Sequence, residues 1–246
     1  MNRPNVVTPE EWLSARRALL EKEKELTRQR DALAAARREL PWVKLNQNYV
    51  FEGPSGSVTL ADLFGTRSQL IVYHFMYGPG WKEGCPSCSF LADYFDASIP
   101  HLAARDVSFA AVSHARYAEI APFKTRMGWK FPWVSSFNTS FNTDYHVSFS
   151  AEEVEGNRMF YNYEKTGKPA PEVPTALFQE TPGASVFYKD ANGEIFHTYS
   201  VYARGLEPGL VAYFFLDLVP KGRDEAGLPW PMAWVRHHDK YVQSVA

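Results

Sequence analysis

The stretch QLIVYHFMYGPGWKEGCPSCSFLADYF (residues 69–95) passes from an apolar run, through a Gly-Pro-Gly loop, into a Cys-Pro-Ser-Cys pair and a segment of helical spacing. Residues 69–77 are β-rich and nearly all apolar, as expected of a central strand covered on both faces. Phe90, Leu91, Tyr94 and Phe95 then recur at helical spacing, which predicts a helix over 86–102. Cys85 and Cys88 are the only cysteines in the chain. At a helix start the first N–H groups lack intrahelical partners and the macrodipole adds positive potential. Both favour the thiolate of the first cysteine. The second cysteine follows about one turn later, within reach of a mixed disulfide on the first, and Pro86 suits the first helical position. This reading makes Cys85 the nucleophile and Cys88 the resolving thiol.

Other readings of the pair stand beside it. A lone CxxC is half a zinc site, and twelve residues separate Cys88 from His101, but twelve more separate His101 from His114, where finger spacing asks for three to five between the histidines. The thiols also fit inert core positions, since free cysteine is often buried. A thiol-dependent peroxidase and a non-catalytic binding or scaffold protein on the same fold are the alternative functions. No bound cofactor and no metal are expected.

Working outward, Thr8-Pro9-Glu10-Glu11 signals a capped helix start, and Pro41 limits that helix to about residue 40. Trp12, Leu19, Leu26, Leu33 and Leu40 recur every seven residues, a spacing that fits an arm packed on its own domain or a dimer contact. Short strands are predicted at 49–51 and 57–59, with a helical turn at 60–64. A buried strand is predicted at 107–113, a helix at 117–127 and a short strand at 131–136. A hairpin is expected over 185–200 with Asn192-Gly193 in its turn, then a closing helix at 208–218. The alternation implies an α/β domain, a mixed sheet flanked by helices. We divide the chain into an N-terminal helical arm (1–41), a domain (42–220) carrying an insertion at about 137–180, and a C-terminal extension (221–246). Long insertions of this kind are usually functional or oligomeric, and both it and the extension are rich in aromatics.

Strand, CxxC, helix, strand, helix, hairpin and final helix is the order that the thioredoxin-like superfamily shows. The segments VTLADLFGTRSQLIVYHF and FPWVSS resemble its peroxiredoxin-related branch. FMYGPGWKEGCPSCSFLADYF, RMGWKFPWVSSFN, SVFYKDANGEIFHTYSVYARG and WPMAWVRHHDKY resemble, over most of the chain, a bacterial family of predicted dithiol-disulfide oxidoreductases of unknown function. The resemblance implies a thioredoxin-like fold, thiol-disulfide exchange on a disulfide substrate, and an external thiol as electron donor. It also implies substrate contacts from Trp81, near the pair, and from Pro182, at the position of the superfamily's cis-proline. Three positions depart from the superfamily. Gly84 replaces the aromatic that thioredoxins place before the first cysteine. Lys82 stands where peroxiredoxins carry Thr or Ser, and QETPGASVF lacks their peroxide-binding Arg, so the O–O transition state would lack those stabilisers.

A net charge of −2 gives no electrostatic case for nucleic acid or an anionic membrane. The N-terminal sequence has no signal-peptide core and no apolar run spans a bilayer, so a cytoplasmic protein is expected, with a homodimer as its candidate assembly. His74 is expected to be a hydrogen-bonded core histidine or a proton relay, His237-His238 polar surface rather than metal ligands, and Arg204 a structural ion pair or a holder of an anion or carboxylate.

Overall fold

In the computed structural model, residues 5–166 and 179–241 are described. The chain forms two compact units, Met1–Pro41 and Trp42–Ala246. The first is helix α1 (Pro9–Arg38). The expected capping box is present: Glu11 N–H donates to Thr8 Oγ1 (3.2 Å) and Thr8 N–H to Glu11 Oε2 (2.9 Å). No residue of α1 is buried. Trp12, Leu19, Leu26 and Leu33 each stay about half exposed, at 57, 51, 48 and 52%.

The second unit begins with β1 (Val43–Lys44), β2 (Val50–Gly53) and β3 (Gly56–Thr59), then a capped turn α2 (Leu60–Leu63). Next come β4 (Gln69–His74), α3 (Pro86–Ala92), α4 (Phe95–Ala103), β5 (Val107–Ser113), α5 (Tyr117–Arg126) and β6 (Trp133–Ser135). The insertion holds α6 (Phe141–Asp144), α7 (Ala151–Glu155) and a small hairpin of β7 (Phe160–Tyr161) and β8 (Glu164–Lys165). The chain then forms β9 (Gly183–Lys189), β10 (Ile195–Tyr202), a 3-10 segment (Ala203–Gly209) and α8 (Val211–Leu216).

Eight strands make one sheet in the order β1-β10-β9-β4-β5-β6-β2-β3. β4, β5 and β6 are parallel neighbours, while β9 runs antiparallel to β4 and β10 to β9. A parallel β-α-β unit joined at its first strand to an antiparallel hairpin, with a closing helix, is the thioredoxin-like arrangement. Both faces of β4 are covered. Leu70 and Val72 pack with Phe51, Phe141 and Phe187 on one side. Tyr73, and Phe75 just beyond the strand, pack with Phe90, Phe123 and Trp133 on the other. That double burial is why the segment reads as a continuous apolar run.

Several elements differ from their expected bounds. β4 stops at His74 because the next carbonyls turn to other partners: Met76 O accepts from Cys85 N–H (3.0 Å) and Tyr77 O from Ala115 N–H (2.7 Å). The helix expected over 86–102 is two helices, broken at Asp93 and Tyr94. At the break the Asp93 carboxylate serves distant partners, Trp129 Nε1 (2.8 Å) and His238 Nδ1 (2.6 Å). The closing helix is shorter than expected, its first part being the 3-10 segment that contains Pro208. In the insertion, Phe141, Tyr145 and Phe149 are buried in the chain's own core. Phe160 (41% exposed) and Tyr163 (63%) are not. Residues 167–178 of the insertion and 242–246 of the extension lie outside the described residues.

Candidate active site

Cys85 is the N-cap of α3 and Pro86 occupies its first turn. The thiols are free, Cys85 partly exposed and Cys88 buried at 2% exposure. Ser89 ties the turn back, its N–H and its hydroxyl each donating to Cys85 O at 2.9 Å. Gly84 has a steric reason. A Cβ there would stand 2.6 Å from a Phe75 ring carbon and 2.7 Å from one of Phe123, so no side chain fits before the first cysteine.

The two thiols titrate in opposite directions. The Cys88 thiol donates to Cys85, and with the N–H groups of Cys88 and Ser87 and the Ser87 hydroxyl it outweighs burial, holding Cys85 down to about 7. Burial pushes the Cys88 thiol well up, and the negative charge on Cys85 adds to this, while a hydrogen bond from the buried Tyr73 hydroxyl works against it. A thiolate at Cys85 beside a protonated Cys88 follows.

The C-terminal segment packs onto the loop that presents Cys85. His237 is 3% exposed, so it is not the polar surface expected of it. Its Nδ1 accepts from Arg126 Nη2 (3.0 Å), which leaves Nε2 as the N–H that donates to Gly84 O (2.8 Å). Glu83 accepts from Lys240 Nζ (2.6 Å) and pairs with Arg126, which also meets Asp239 (3.1 Å). The hydrogen bond from Lys240, with that from Arg126, holds the Glu83 carboxyl down to about 2.

Beside Cys88 lies a cavity of about 490 Å3. Its apolar wall includes Tyr73, Met76, Leu91, Leu206, Leu210 and Met232, and Pro182 also borders it. Pro182 thus borders the same cavity as Cys88, but in trans: no cis peptide bond occurs among the described residues. Trp81 does not line the cavity and instead folds over Gly78, where a Cβ would meet its indole at 2.8 Å. Arg204 makes the expected ion pair, with Glu207 (3.1 Å).

Two partly buried polar networks lie elsewhere in the second unit. His74 Nε2 meets Ser185 Oγ (2.8 Å), which meets Ser200 Oγ (2.8 Å), which meets His197 Nε2 (2.7 Å). Burial holds the His74 imidazole down to about 3, so it is a neutral core histidine. His114, next after β5, places Nδ1 2.8 Å from Glu180, whose other oxygen accepts from Ser148 Oγ (2.6 Å). Among the described residues no three His, Cys, Asp or Glu side chains are grouped to hold a metal ion, and no helix is long and apolar enough to cross a membrane.

Sequence reasoning located the dithiol and passed over Tyr73, Glu83, Arg126 and the role of His237. The signal available for the last was the aromatic density of WPMAWVRHHDKY, which implied packing but not against what.

Residues 1–241 match a family described as "Bacterial protein of unknown function (DUF899)". No curated protein matches the chain. Among solved structures it is similar to PrxQ of Xylella fastidiosa, at 16% identity and a TM-score of 0.45, over 71% of this chain and 94% of that one. It is similar to the bacterioferritin comigratory protein of Xanthomonas campestris at 13% and 0.44, over 71% and 96%. Peroxidoxin BcpB of Mycobacterium tuberculosis matches at 12% and 0.40, over 70% and 94%.

Proposed function

The chain belongs to this bacterial family of unknown function, and from its paired thiols we propose that it is a thiol-disulfide oxidoreductase acting through Cys85 and Cys88. One observation carries the reading: a partly exposed thiol held down to about 7 at a helix start, with a buried, protonated thiol donating to it from one turn on.

The Cys85 thiolate attacks one sulfur of a substrate disulfide. A Cys85–substrate disulfide forms, the substrate S–S bond breaks, and the first substrate thiolate leaves and takes up a proton. Burial is the main reason Cys88 stays protonated, and conversion of Cys85 to a disulfide removes the hydrogen bond to the Cys85 thiolate and the negative charge that add to it. Cys88 then loses its proton, the Tyr73 hydroxyl supports its thiolate, and its sulfur attacks Cys85 Sγ. The Cys85–Cys88 disulfide forms and the second substrate thiolate leaves. The thiolate–thiol pair has given up two electrons and the one proton that Cys88 held; the substrate has gained both electrons, and that proton balances the one its first thiolate took up. An external dithiol donor restores the reduced state.

Reduction of insulin disulfides with dithiothreitol as donor tests this. Wild type accelerates the reaction and Cys85→Ser does not; equal rates would leave the scaffold reading. The reduction potential assigns direction: a value near roughly −270 mV marks a reductase and one near roughly −120 mV an oxidant.

A further inference from the structure

The cavity beside Cys88 has the size of a small-molecule site, which typically runs from about 300 to 1,000 Å3. Its walls come from five stretches of chain: β4 and the residues just after it (Tyr73, Met76), the dithiol helix (Ser87, Cys88, Leu91), Pro182, the 3-10 segment with α8, and residues 223–232. At the ~30 Å3 each molecule occupies in liquid water, its volume suits roughly sixteen non-hydrogen atoms, a substituted ring or two.

The charges on its wall decide what enters. Arg223 gives Nε and Nη2 to Asp217 (2.8 Å each) and Nη1 to Glu207 (3.2 Å). Arg204 gives Nε and Nη2 to Glu207 (3.1 Å each). Glu225 Oε1 accepts from Tyr213 Oη (2.6 Å), Met232 N–H (2.9 Å) and Trp234 Nε1 (2.7 Å). On the wall two carboxylates, Glu207 and Glu225, therefore stand against two guanidiniums, and both guanidiniums are already paired, Arg223 also with Asp217 outside the lining. An anionic ligand such as a glutathione moiety would have to break those pairs, since the wall offers no unpaired cation to it. An uncharged ring meets Leu206, Leu210 and Met232 without that cost.

We propose that this cavity seats the uncharged, apolar organic half of the disulfide on which the dithiol acts, a reading that rests on the thiol-disulfide assignment. Reduction of a diaryl disulfide then follows the two exchanges already written, releasing two molecules of the aryl thiol for each dithiol oxidised.

The test separates binding from chemistry. The full-length reduced protein is titrated with N-phenylnaphthylamine, a neutral fluorescent probe, and then with diphenyl sulfide, which lacks an S–S bond. Saturable binding at one site is expected, displaced by diphenyl sulfide and not by glutathione. Leu206→Trp and, from the other stretch of chain, Met232→Trp each weaken it at least about tenfold by filling the space the ring needs. Either variant suffices if its circular dichroism shows it folded. In single-turnover assays, diphenyl disulfide is reduced at least about tenfold faster than glutathione disulfide, once each rate is divided by that of dithiothreitol. Absent binding, or binding untouched by a folded variant, overturns the proposal. So does reduction of both disulfides at the dithiothreitol ratio, which leaves the thiol-disulfide function standing. Probe binding with neither disulfide reduced sinks that function, and the substrate assignment with it.

Discussion

Cys85 and Cys88 lie one helical turn apart, yet the first is partly exposed and the second buried at 2%. Helix-start N–H groups and the Cys88 thiol all point at Cys85, while Cys88 sits against Tyr73 inside the core. Alkylation followed by mass spectrometry against pH is therefore expected to modify Cys85 first, with half-maximal rate near pH 7. Cys88→Ala removes the largest of the groups that hold Cys85 down, so its titration moves toward the ordinary thiol value of about 8.5. If Cys88 reacts first, the two roles are exchanged. Gly84 gives a second expectation at this scale. Gly84→Ala pushes a methyl into the rings of Phe75 and Phe123, and the loss of stability in urea is expected to be about 1–3 kcal/mol. An unchanged midpoint would show that the rings give way freely.

Among the elements, β5 and the insertion are joined by His114 and Glu180. Glu180 raises the His114 imidazole by accepting its hydrogen bond, and burial raises the Glu180 carboxyl. A group raised on folding contributes stability below its unfolded value and loses it as pH climbs through the folded one. For His114 the loss begins above the ordinary value of 6.5. The stability difference between wild type and His114→Gln, read from urea midpoints, is expected to shrink as pH rises from 6.5. A difference that grows with pH would reverse the sign of this pair. The C-terminal segment makes a comparable tie to the dithiol loop. His237→Ala leaves Gly84 O without its donor and takes one partner from Arg126, which keeps Glu83 and Asp239, so it is expected to cost about 1–3 kcal/mol. Retained stability in that variant would show that Lys240 and Glu83 hold the loop alone. The pattern of apolar residues announced β4, β5, α5 and the β9–β10 hairpin, but neither the short elements of the insertion nor the break at Asp93 was legible. The break coincides with partners, Trp129 and His238, that are far away in sequence.

At the scale of the whole molecule, the arm carries its apolar residues at every seventh position and buries none of them. Such a stripe is the pattern of a helix that pairs with another helix. Light scattering at micromolar concentration is expected to give a dimer mass, falling to a monomer when residues 1–40 are deleted. A monomer mass in both proteins removes the association. Much of the molecule is set by local chemistry. Thr8 and Glu11 cap a helix through groups three residues apart, Asn192-Gly193 turns a hairpin with Gly193 at a φ of 82°, and an apolar run next to CxxC makes a strand and a helix start. These depend on neighbours along the chain, so the sequence alone determined the order of the main strands and helices outside the insertion, the thioredoxin-like class and the position of the dithiol. The burial of Phe141 and Tyr145, the trans peptide at Pro182, the burial of His237 under Gly84 and the cavity walled by residues 203–232 were decided only by the tertiary structure. Each of these depends on segments distant along the chain meeting in space, and a residue's own type does not say which surface will close over it.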